Sequence, residues 1–395
     1  AALSVWSNVV SGETAFKIAA SDGLQGAQFG RAVAIDGDFA VVGAWHIGTG
    51  IQNGAAYIYK RVTGNTWNEV QKLTSEDGGR FGASVSIDGD YVVIGAYNDD
   101  ANGTDSGAAL VYVRETDTDN FTFQQKLVPT DGTPGDFFGW SVSVDGAYAI
   151  IGAQNDDENG PVSGSAYIYK RDGTTWSQQA KLAPADAAEF DYFGASVSIS
   201  GAYAIVGATD ENMQSGSGAA YVYKRDGEAW APHTKLVASD ASSYDYFGKS
   251  VDIEGNDVIV GAQHAKVADA SRVGAAYVFT RSPDDDTFSQ QNKLTASDLG
   301  EYNYFGWSVS INGDHAVVGS IHNPNGFGGP GPSVGSVYHF TRLGGTWAQT
   351  DQQKINAPGT DDYFGGAVAV SQSHFIVGAA FISNSGASYI YSLGT

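Results

Sequence analysis

The chain has 395 residues, and its 21 lysines and arginines against 44 aspartates and glutamates give a formal net charge of −23. A charge of this sign disfavours nucleic acid and anionic membrane surfaces as partners. The sequence has no cysteine, which excludes disulfides, thiolate metal sites and cysteine nucleophiles.

The first segment of the chain predicts a strand whose partner lies elsewhere. The start, "AALSVWSNVV", lacks the charged-then-apolar order of a signal peptide, and no apolar run approaches the roughly 18 residues of a membrane span. We therefore expect a mature chain without membrane insertion. Phe16-Lys17-Ile18 matches Gln71-Lys72-Leu73, which lies in an outer-strand pattern further along.

A Phe-Gly dipeptide recurs at seven regularly spaced positions, with a mean spacing of about 56 residues, which is typical of a repeat architecture. The spacing predicts seven copies of one unit. Their inner strands are predicted to begin near Phe29, Phe81, Phe138, Phe193, Phe247, Phe305 and Phe364.

The second copy illustrates the four strands of each unit. "ASVSIDGD" (83–90) alternates small polar and apolar residues, and "YVVIGA" (91–96) follows a tight Asp-Gly turn. "AALVYVR" (108–114) and "FTFQQKL" (121–127) supply the third and fourth strands. No stretch of the sequence has sustained helical periodicity, so the chain is predicted to be all-β.

Seven four-stranded antiparallel units predict a seven-bladed β-propeller, formed as a single domain by residues 1–395. The seventh copy stops after its third strand, "ASYIYSLGT" (387–395). Residues 1–22 are predicted to supply the missing outer strand, so that the N-terminal strand completes the last blade and closes the ring. An open solenoid would instead need polar caps at its ends.

The units resemble a known family. "SDASSYDYFGKSVDIEGNDVIVGAQ" (239–263), "GAAYVFTR" (274–281) and their sister segments are similar to the FG-GAP repeat, the propeller unit related to the head of integrin α chains. The resemblance implies an extracellular or cell-surface protein. Propellers of this kind serve adhesion, carbohydrate binding, protein binding or scaffolding, so the fold does not decide the function.

Calcium is the cofactor that the resemblance to integrin-type repeats suggests. Integrin-type repeats carry a calcium loop between their first two strands, whereas this chain has only short turns there, such as "IDGD" (87–90). Calcium takes six to eight oxygen ligands, which a two-residue turn cannot supply. We therefore expect no calcium site of the integrin type, which leaves calcium binding by other loops open, and the sequence implies no other cofactor.

The long connections are predicted to lie on one face of the propeller. Strand order places the connections between strands 1 and 2 and between strands 3 and 4 on one face, here called the turn face. The connections between strands 2 and 3 and from strand 4 to the next blade lie on the opposite face, the loop face. Binding residues concentrate on such loops, so we place a candidate site on the loop face.

Three sets of residues on the loop face are candidates. The first contains the tyrosines near the Phe-Gly dipeptides, Tyr192, Tyr244, Tyr246 and Tyr304. Together with the aspartates beside them, these tyrosines could bind a sugar. Alternatively, the tyrosines cover the seams between blades and the aspartates cap turns. The second follows Phe-Gly at the mouth of the central channel, where Arg31, Trp140, Lys249 and Trp307 replace the small residues of other copies. They suit a sugar or a carboxylate, or they plug the channel.

The third set follows the second strand: His46, Asn98, Asn155, Asp210, His264, His322 and Phe381. Its histidines suggest a metal site. The three histidines belong to blades 1, 5 and 6, so at least His46 and His264 lie far apart around the ring. Polar capping of the strand ends accounts for the set better than a metal site does.

Two motifs of enzymes occur without their structural context. "GFGGPG" (326–331) matches a dinucleotide-binding pattern and "GPSVG" (331–335) a hydrolase pattern, but a predicted strand follows where both need a helix. The sequence therefore predicts a secreted or surface-exposed, non-catalytic binding module for a glycan or protein. The alternatives are a structural component of a larger extracellular complex and a carbohydrate-active enzyme, either a lyase or a glycosidase. The sequence does not determine the oligomeric state.

Overall fold

The computed structural model describes residues 15–24, 26–46, 54–209, 216–267, 272–298, 301–321, 335–356, 363–380 and 385–393, with the backbone alone for residues 350–354 and 356. These ranges form 28 β-strands arranged in seven antiparallel sheets of four strands each. Within them there is no helix long and apolar enough to cross a membrane. The all-β seven-bladed propeller predicted from the repeat is confirmed.

The strands follow the order of the repeats. Blade 1 contains β2 (Ala32–Asp36), β3 (Phe39–Ala44), β4 (Ala55–Thr63) and β5 (Thr66–Thr74). Blade 2 contains β6 (Ser84–Asp88), β7 (Tyr91–Ala96), β8 (Ala108–Arg114) and β9 (Phe121–Leu127). Blade 3 contains β10 (Phe138–Asp145), β11 (Tyr148–Ala153), β12 (Ser165–Asp172) and β13 (Thr175–Leu182). Blade 4 contains β14 (Ser196–Ser200), β15 (Tyr203–Ala208), β16 (Ala219–Asp226) and β17 (Ala229–Leu236).

The remaining three blades repeat the pattern. Blade 5 contains β18 (Phe247–Glu254), β19 (Asp257–Ala262), β20 (Ala275–Arg281) and β21 (Phe288–Leu294). Blade 6 contains β22 (Phe305–Asn312), β23 (His315–Ser320), β24 (Ser336–Leu343) and β25 (Thr346–Asn356). Blade 7 contains β26 (Phe364–Val370), β27 (His374–Ala379), β28 (Ala387–Ser392) and, as its outer strand, β1 (Phe16–Ile18).

The N-terminal strand closes the ring, as predicted. β1 pairs antiparallel with β28, with Phe16 opposite Ile390 and Ile18 opposite Ser388. This register places Ile18 where Leu73 lies in blade 1, opposite Ala56. The buried Ile18 packs in a cluster that combines residues of blades 7 and 1. Residues 1–14 of the predicted segment lie outside the described residues.

The inner strands do not all begin at the phenylalanine. Four begin there, and β2, β6 and β14 begin three residues later. The reason is a β-bulge, visible in blade 3 as a register shift between Phe138 and Ser141. Gly139 inside it has a φ of 91°, and a Cβ there would approach the Ala108 carbonyl oxygen to 2.2 Å. Only glycine fits this position, and the following residue, Trp140, falls within the shift in the pairing of β10 with β11.

Adjacent blades are joined by backbone bonds at the Phe-Gly dipeptide. The Phe138 amide donates to the Ser106 carbonyl of the preceding blade at 3.0 Å, and the Phe29 amide donates to Ser385 of blade 7 at 3.0 Å. The serine two residues after the glycine makes a second link: Ser141 Oγ donates to the Gly194 carbonyl of the next blade at 2.8 Å. The small residues around each dipeptide are therefore part of the ring's construction.

The core lies at the seams between blades. Each phenylalanine of the dipeptides is buried, and in six blades its ring packs against the tyrosine at the third position of the third strand, as Phe138 does against Tyr167 at 5.4 Å. Blade 2 differs because Leu110 stands at that position. A lysine of the fourth strand also pairs with an aspartate of the loop before the blade, as Lys181 does with Asp131 at 2.7 Å. Part of the acidic excess is therefore used inside the fold.

Candidate functional site

The loop-face mouth of the central channel is built from two positions of the repeat. One is the residue after Phe-Gly, where the first strand begins, and the other is the first residue after the second strand. Eight residues from six blades line a cavity of about 140 Å³ there, here called the central cavity: Arg31, Trp45, Ala83, Tyr97, Trp140, Ala195, Lys249 and Trp307.

A second cavity of about 280 Å³, here called the adjoining cavity, shares part of this lining. Arg31, Trp45 and Trp307 belong to both. The rest of its lining comes from blades 1, 6 and 7: Gln28, Gly30, Ile321, Tyr363, Gly366 and Ala380. The two cavities therefore form one recess over the channel.

Four of the eight residues predicted as a ligand site meet in the central cavity. Arg31, Trp140, Lys249 and Trp307 come from blades 1, 3, 5 and 6, and all of them line it. That these four residues bind a ligand stays a prediction, because their position in one cavity does not identify what binds there.

Sequence reasoning missed two residues of this lining, Trp45 and Tyr97, together with Arg80, which packs against both of them. Trp45 and Tyr97 follow the second strand directly, where the other blades carry Gln154, Thr209, Gln263, Ile321 and Ala380. The signal was available, because this position varies between blades as much as the position after Phe-Gly. Only the structure shows that both positions face the same recess.

Aromatic rings hold the cations of the mouth. The Arg31 guanidinium lies 4.6 Å from the Trp45 ring centroid, and the Arg80 guanidinium lies 5.0 Å from the same ring and 5.3 Å from Tyr97. Arg80 also donates a hydrogen bond to the Tyr97 hydroxyl. Across the mouth, Lys249 Nζ lies 5.3 Å from the Trp307 ring. Such contacts restrict the motion of the cationic groups without neutralising them.

The electrostatics of the mouth differ from those of the whole chain. None of the described lining residues of either cavity is an aspartate or glutamate. Within the described ranges the Arg31 side chain has neither a hydrogen bond nor an ion pair in the structure. Burial lowers the pKa of Arg31, Tyr97 opposes that shift, and Arg80 adds to it. In an acidic protein, the mouth therefore presents positive charge.

The four predicted tyrosines lie apart from the central cavity. Tyr246 and Tyr304 enclose the His264 ring, with centroid distances of 4.5 and 5.2 Å, and Tyr304 is buried. Tyr244 is 46% exposed, and its amide donates to the Gly216 carbonyl at 2.8 Å. Tyr192, which precedes Phe193 in the sequence, is partly buried. None of the four is among the described lining residues of the two cavities.

The residue before each phenylalanine has a left-handed backbone in all seven blades. Its φ ranges from 46° at Tyr363 to 58° at Phe137. Because this conformation recurs with different side chains, it belongs to the turn of the repeat. In the three blades where the structure describes an aspartate before it, that aspartate caps the same turn: Asp136 accepts from the Thr133 amide at 2.6 Å, and Asp245 from Ser242 at 2.8 Å. The turn-capping interpretation of these aspartates therefore agrees with the geometry.

The histidines form no metal centre in the described part of the chain, where no group of three or more His, Asp or Glu side chains is placed to hold an ion. His264 packs between two tyrosines, and burial, followed by Arg272 and Lys249, lowers its pKa to about 4. Asp210, His322, Phe381 and the glycine-rich segment 326–334 lie outside the described residues.

The turn-face mouth of the channel has the opposite charge. A cavity of about 460 Å³ is lined there by five carboxylates among other residues: Asp36, Asp88, Asp145, Asp252 and Glu254. Three of them accept from the amide of the next blade's turn, as Asp88 does from Gly146 at 2.7 Å. Asp252 accepts from Ser198 and Ser310 at 2.8 and 3.0 Å. These carboxylates join neighbouring blades.

Burial and mutual repulsion act on this acidic mouth. Burial raises the pKa of Asp88, and the nearby Asp145 and Asp36 raise it further, while the bond from Gly146 opposes the shift. Burial also raises the pKa of Asp252 against the hydrogen bonds it accepts. The channel therefore runs from an acidic mouth to a cationic mouth.

Comparison with known sequences agrees with this repeat geometry. The FG-GAP repeat profile matches residues 13–59, 67–112, 121–169, 176–223, 230–279 and 288–340. The chain belongs to the FG-GAP repeat family. Each matched segment includes an outer-strand position followed by the first three strands of the next blade. The FG-GAP match leaves out the seventh unit, which the structure shows as blade 7. No protein of curated function matches the chain by sequence.

Solved structures are similar in fold at low sequence identity. A protein from Lactobacillus plantarum has 14% identity and a TM-score of 0.50, with 84% of this chain and 86% of that chain covered. A "putative 6-phosphogluconolactonase" from Bacteroides uniformis has 11% identity and a TM-score of 0.54, with the same coverage. One of the same description from Bacteroides fragilis has 9% identity and a TM-score of 0.55, with 86% of each chain covered. At such identities these similarities concern the fold alone.

Proposed function

We propose that this FG-GAP propeller is a secreted or surface-exposed, non-catalytic binding module that recognises a glycan or protein ligand at its loop-face mouth. The observation that carries the proposal is the composition of the central cavity. Its large side chains differ from blade to blade, whereas the serines and glycines beside them recur. A plug that only filled the channel would be served by one residue type in every blade.

The chemistry of the recess favours binding over catalysis. A glycosidase of the usual kind needs two carboxyl groups at the scissile bond, and the described lining of the recess has none. A lyase needs a base, and Tyr97, the tyrosine that lines the central cavity, is the candidate for that role. Burial raises the pKa of Tyr97 despite the nearby Arg80, so its hydroxyl stays protonated near neutral pH.

The test is a binding screen of the full chain on glycan and peptide arrays, with matched variants. Trp140→Ala and Trp307→Ala each remove one ring from the cavity wall, and we expect binding about ten-fold weaker or worse in both. Phe123→Ala is the control, because Phe123 is an aromatic residue on outer strand β9 and is 57% exposed. A ligand that binds all three variants equally would place the site elsewhere.

Two further measurements separate the alternatives. Release of reducing ends or unsaturated products from a polysaccharide panel would establish an enzyme and remove the non-catalytic proposal. Light scattering over a concentration series tests the alternative that the chain is a structural component of a larger complex. For that alternative, the measured mass should rise with protein concentration.

A further inference from the structure

The charge of the recess points to a more specific ligand, whose assignment rests on the proposed binding function. We propose that the loop-face mouth binds an anionic sugar, whose carboxylate or sulfate group lies against Arg31 and Lys249 and whose ring packs on the aromatic wall. Neither the family nor the similar structures assign such a site to this chain.

The charge of the mouth favours an anion. Aspartate and glutamate outnumber lysine and arginine by 44 to 21 in the chain, yet the described lining contains two cations and no carboxylate. Arg80 lies just behind this lining, against Trp45 and Tyr97. Many basic residues of the chain pair with carboxylates, as Arg114 does with Asp90 and Asp119. Arg31, whose side chain has no ion pair within the described ranges, departs from this pattern.

Arg31 is the cation best prepared to receive an anionic group. Its guanidinium is partly buried and stacked on Trp45, and within the described ranges no acceptor reaches it. A partly desolvated guanidinium without an acceptor is costly, and a carboxylate or sulfate oxygen would supply the missing bonds. Trp45 fixes its orientation in advance, which reduces the entropy lost on binding.

The shape of the recess favours a sugar over an acidic peptide. Four aromatic side chains, Trp45, Tyr97, Trp140 and Trp307, surround a cavity of about 140 Å³. Ala83 and Ala195 occupy the same repeat position as Trp140, and their small side chains leave space between the large ones. Flat rings around a small recess match the apolar face of a ring better than they match an extended chain.

The experiment compares charged polysaccharides with neutral polysaccharides of the same backbone, and with a charged peptide polymer. The full chain is titrated calorimetrically with polygalacturonate and its methyl ester, with dextran sulfate and dextran, and with polyglutamate. We expect the charged member of at least one pair to bind at least ten-fold tighter than its neutral partner, with an affinity that falls as salt is added. The first pair reports a carboxylate ligand and the second a sulfate ligand.

Variants connect the binding to the mouth. Arg31→Met and Lys249→Met, each with the melting temperature of the parent chain, are expected to weaken binding of the charged polymer about ten-fold or more. Arg171→Met is the matched control. Arg171 also lies over an aromatic ring, 4.2 Å from Tyr91, but stands at the turn-face end of β12. It removes the same charge from the chain and should leave the affinity unchanged.

The outcomes that overturn the anionic sugar differ from those that overturn the binding function. Equal binding of charged and neutral polymers, lost on Trp307→Ala, would sink the anionic specificity and leave a glycan site in place. Polyglutamate binding as tight as that of the polysaccharides would replace the sugar by an acidic peptide. If Arg171→Met weakened binding as much as Arg31→Met, the attraction would be a property of total charge. If no polymer bound, the anionic sugar would fail, while a ligand found on the arrays would keep the function.

Discussion

Changing Leu110 to tyrosine is predicted to stabilise blade 2 by completing a hydrogen bond that blade 3 already makes. In blade 3, the Tyr167 hydroxyl donates to Asp156 Oδ2 at 2.9 Å. The equivalent Asp99 of blade 2 is 1% exposed, and its Oδ2 has no hydrogen-bond partner in the described structure. Its other oxygen accepts from Lys126 at 2.8 Å and from the Ala101 amide at 3.0 Å.

The magnitude follows from the cost of an unsatisfied buried acceptor, about 1–3 kcal/mol. We expect the hydroxyl to recover about 1–2 kcal/mol of unfolding free energy, the rest being offset by fitting a larger side chain into a site where Leu110 is 5% exposed. Leu110→Phe is the matched control, because it adds the ring without the hydroxyl. The difference in unfolding free energy between the two variants isolates the hydrogen bond.

Denaturant unfolding of the parent chain, Leu110→Tyr and Leu110→Phe measures this difference. Tyr167→Phe gives the reciprocal test, and we expect it to lose about 1 kcal/mol, since Asp156 keeps its contact with Lys181 at 2.9 Å. A tyrosine variant no more stable than the phenylalanine variant would refute the reasoning. It would show that Asp99 Oδ2 is satisfied by water or that the ring cannot reach it.

Three further predictions concern pH, closure and calcium. The pKa of His264 is about 4 in the fold and about 6.5 when unfolded. Its contribution to the free energy of unfolding is therefore complete above about pH 6.5 and is lost as the pH falls towards 4. NMR titration checks the pKa, and the variant His264→Gln should lack this pH-dependent loss of roughly 2 kcal/mol. Ile18→Ala should cost about 2–4 kcal/mol, because Ile18 is buried between blades 7 and 1, whereas exposed Lys17→Ala should be near neutral in the same denaturation assay. A chelator should leave the melting temperature unchanged, because the first turns of the blades supply too few oxygens for calcium; a fall restored by added calcium would contradict this.

The sequence was sufficient for the fold because local patterns and the repeat agree. The segments predicted at 91–96, 108–114 and 121–127 are β7, β8 and β9 with the same bounds. Closure was predictable because Phe16-Lys17-Ile18 matches a strand that the last unit lacks. The starts of β2, β6 and β14 were less predictable, since a bulge depends on backbone geometry that the alternation of side chains does not report.

The candidate site was only half predictable. Variation after Phe-Gly pointed to Arg31 and Trp140, but Trp45 and Tyr97 were missed because two positions 14 residues apart converge only when strands 1 and 2 pair. The acidic mouth was missed for a related reason. Asp36, Asp88 and Asp145 look like ordinary turn residues in sequence, and their common lining appears only when seven blades form a ring.

The pairing of β1 with β28 has a consequence for the biogenesis of the protein. β1 precedes β28 by 26 intervening strands, so β1 has no partner in the same molecule until β28 has been synthesised. Meanwhile Ile18 has no seam to enter, and contacts between distant chain segments form slowly. When such open rings are concentrated, β1 of one molecule can pair with β28 of another by strand exchange. Refolding at low protein concentration should therefore favour monomers, and refolding at high concentration should yield exchanged dimers.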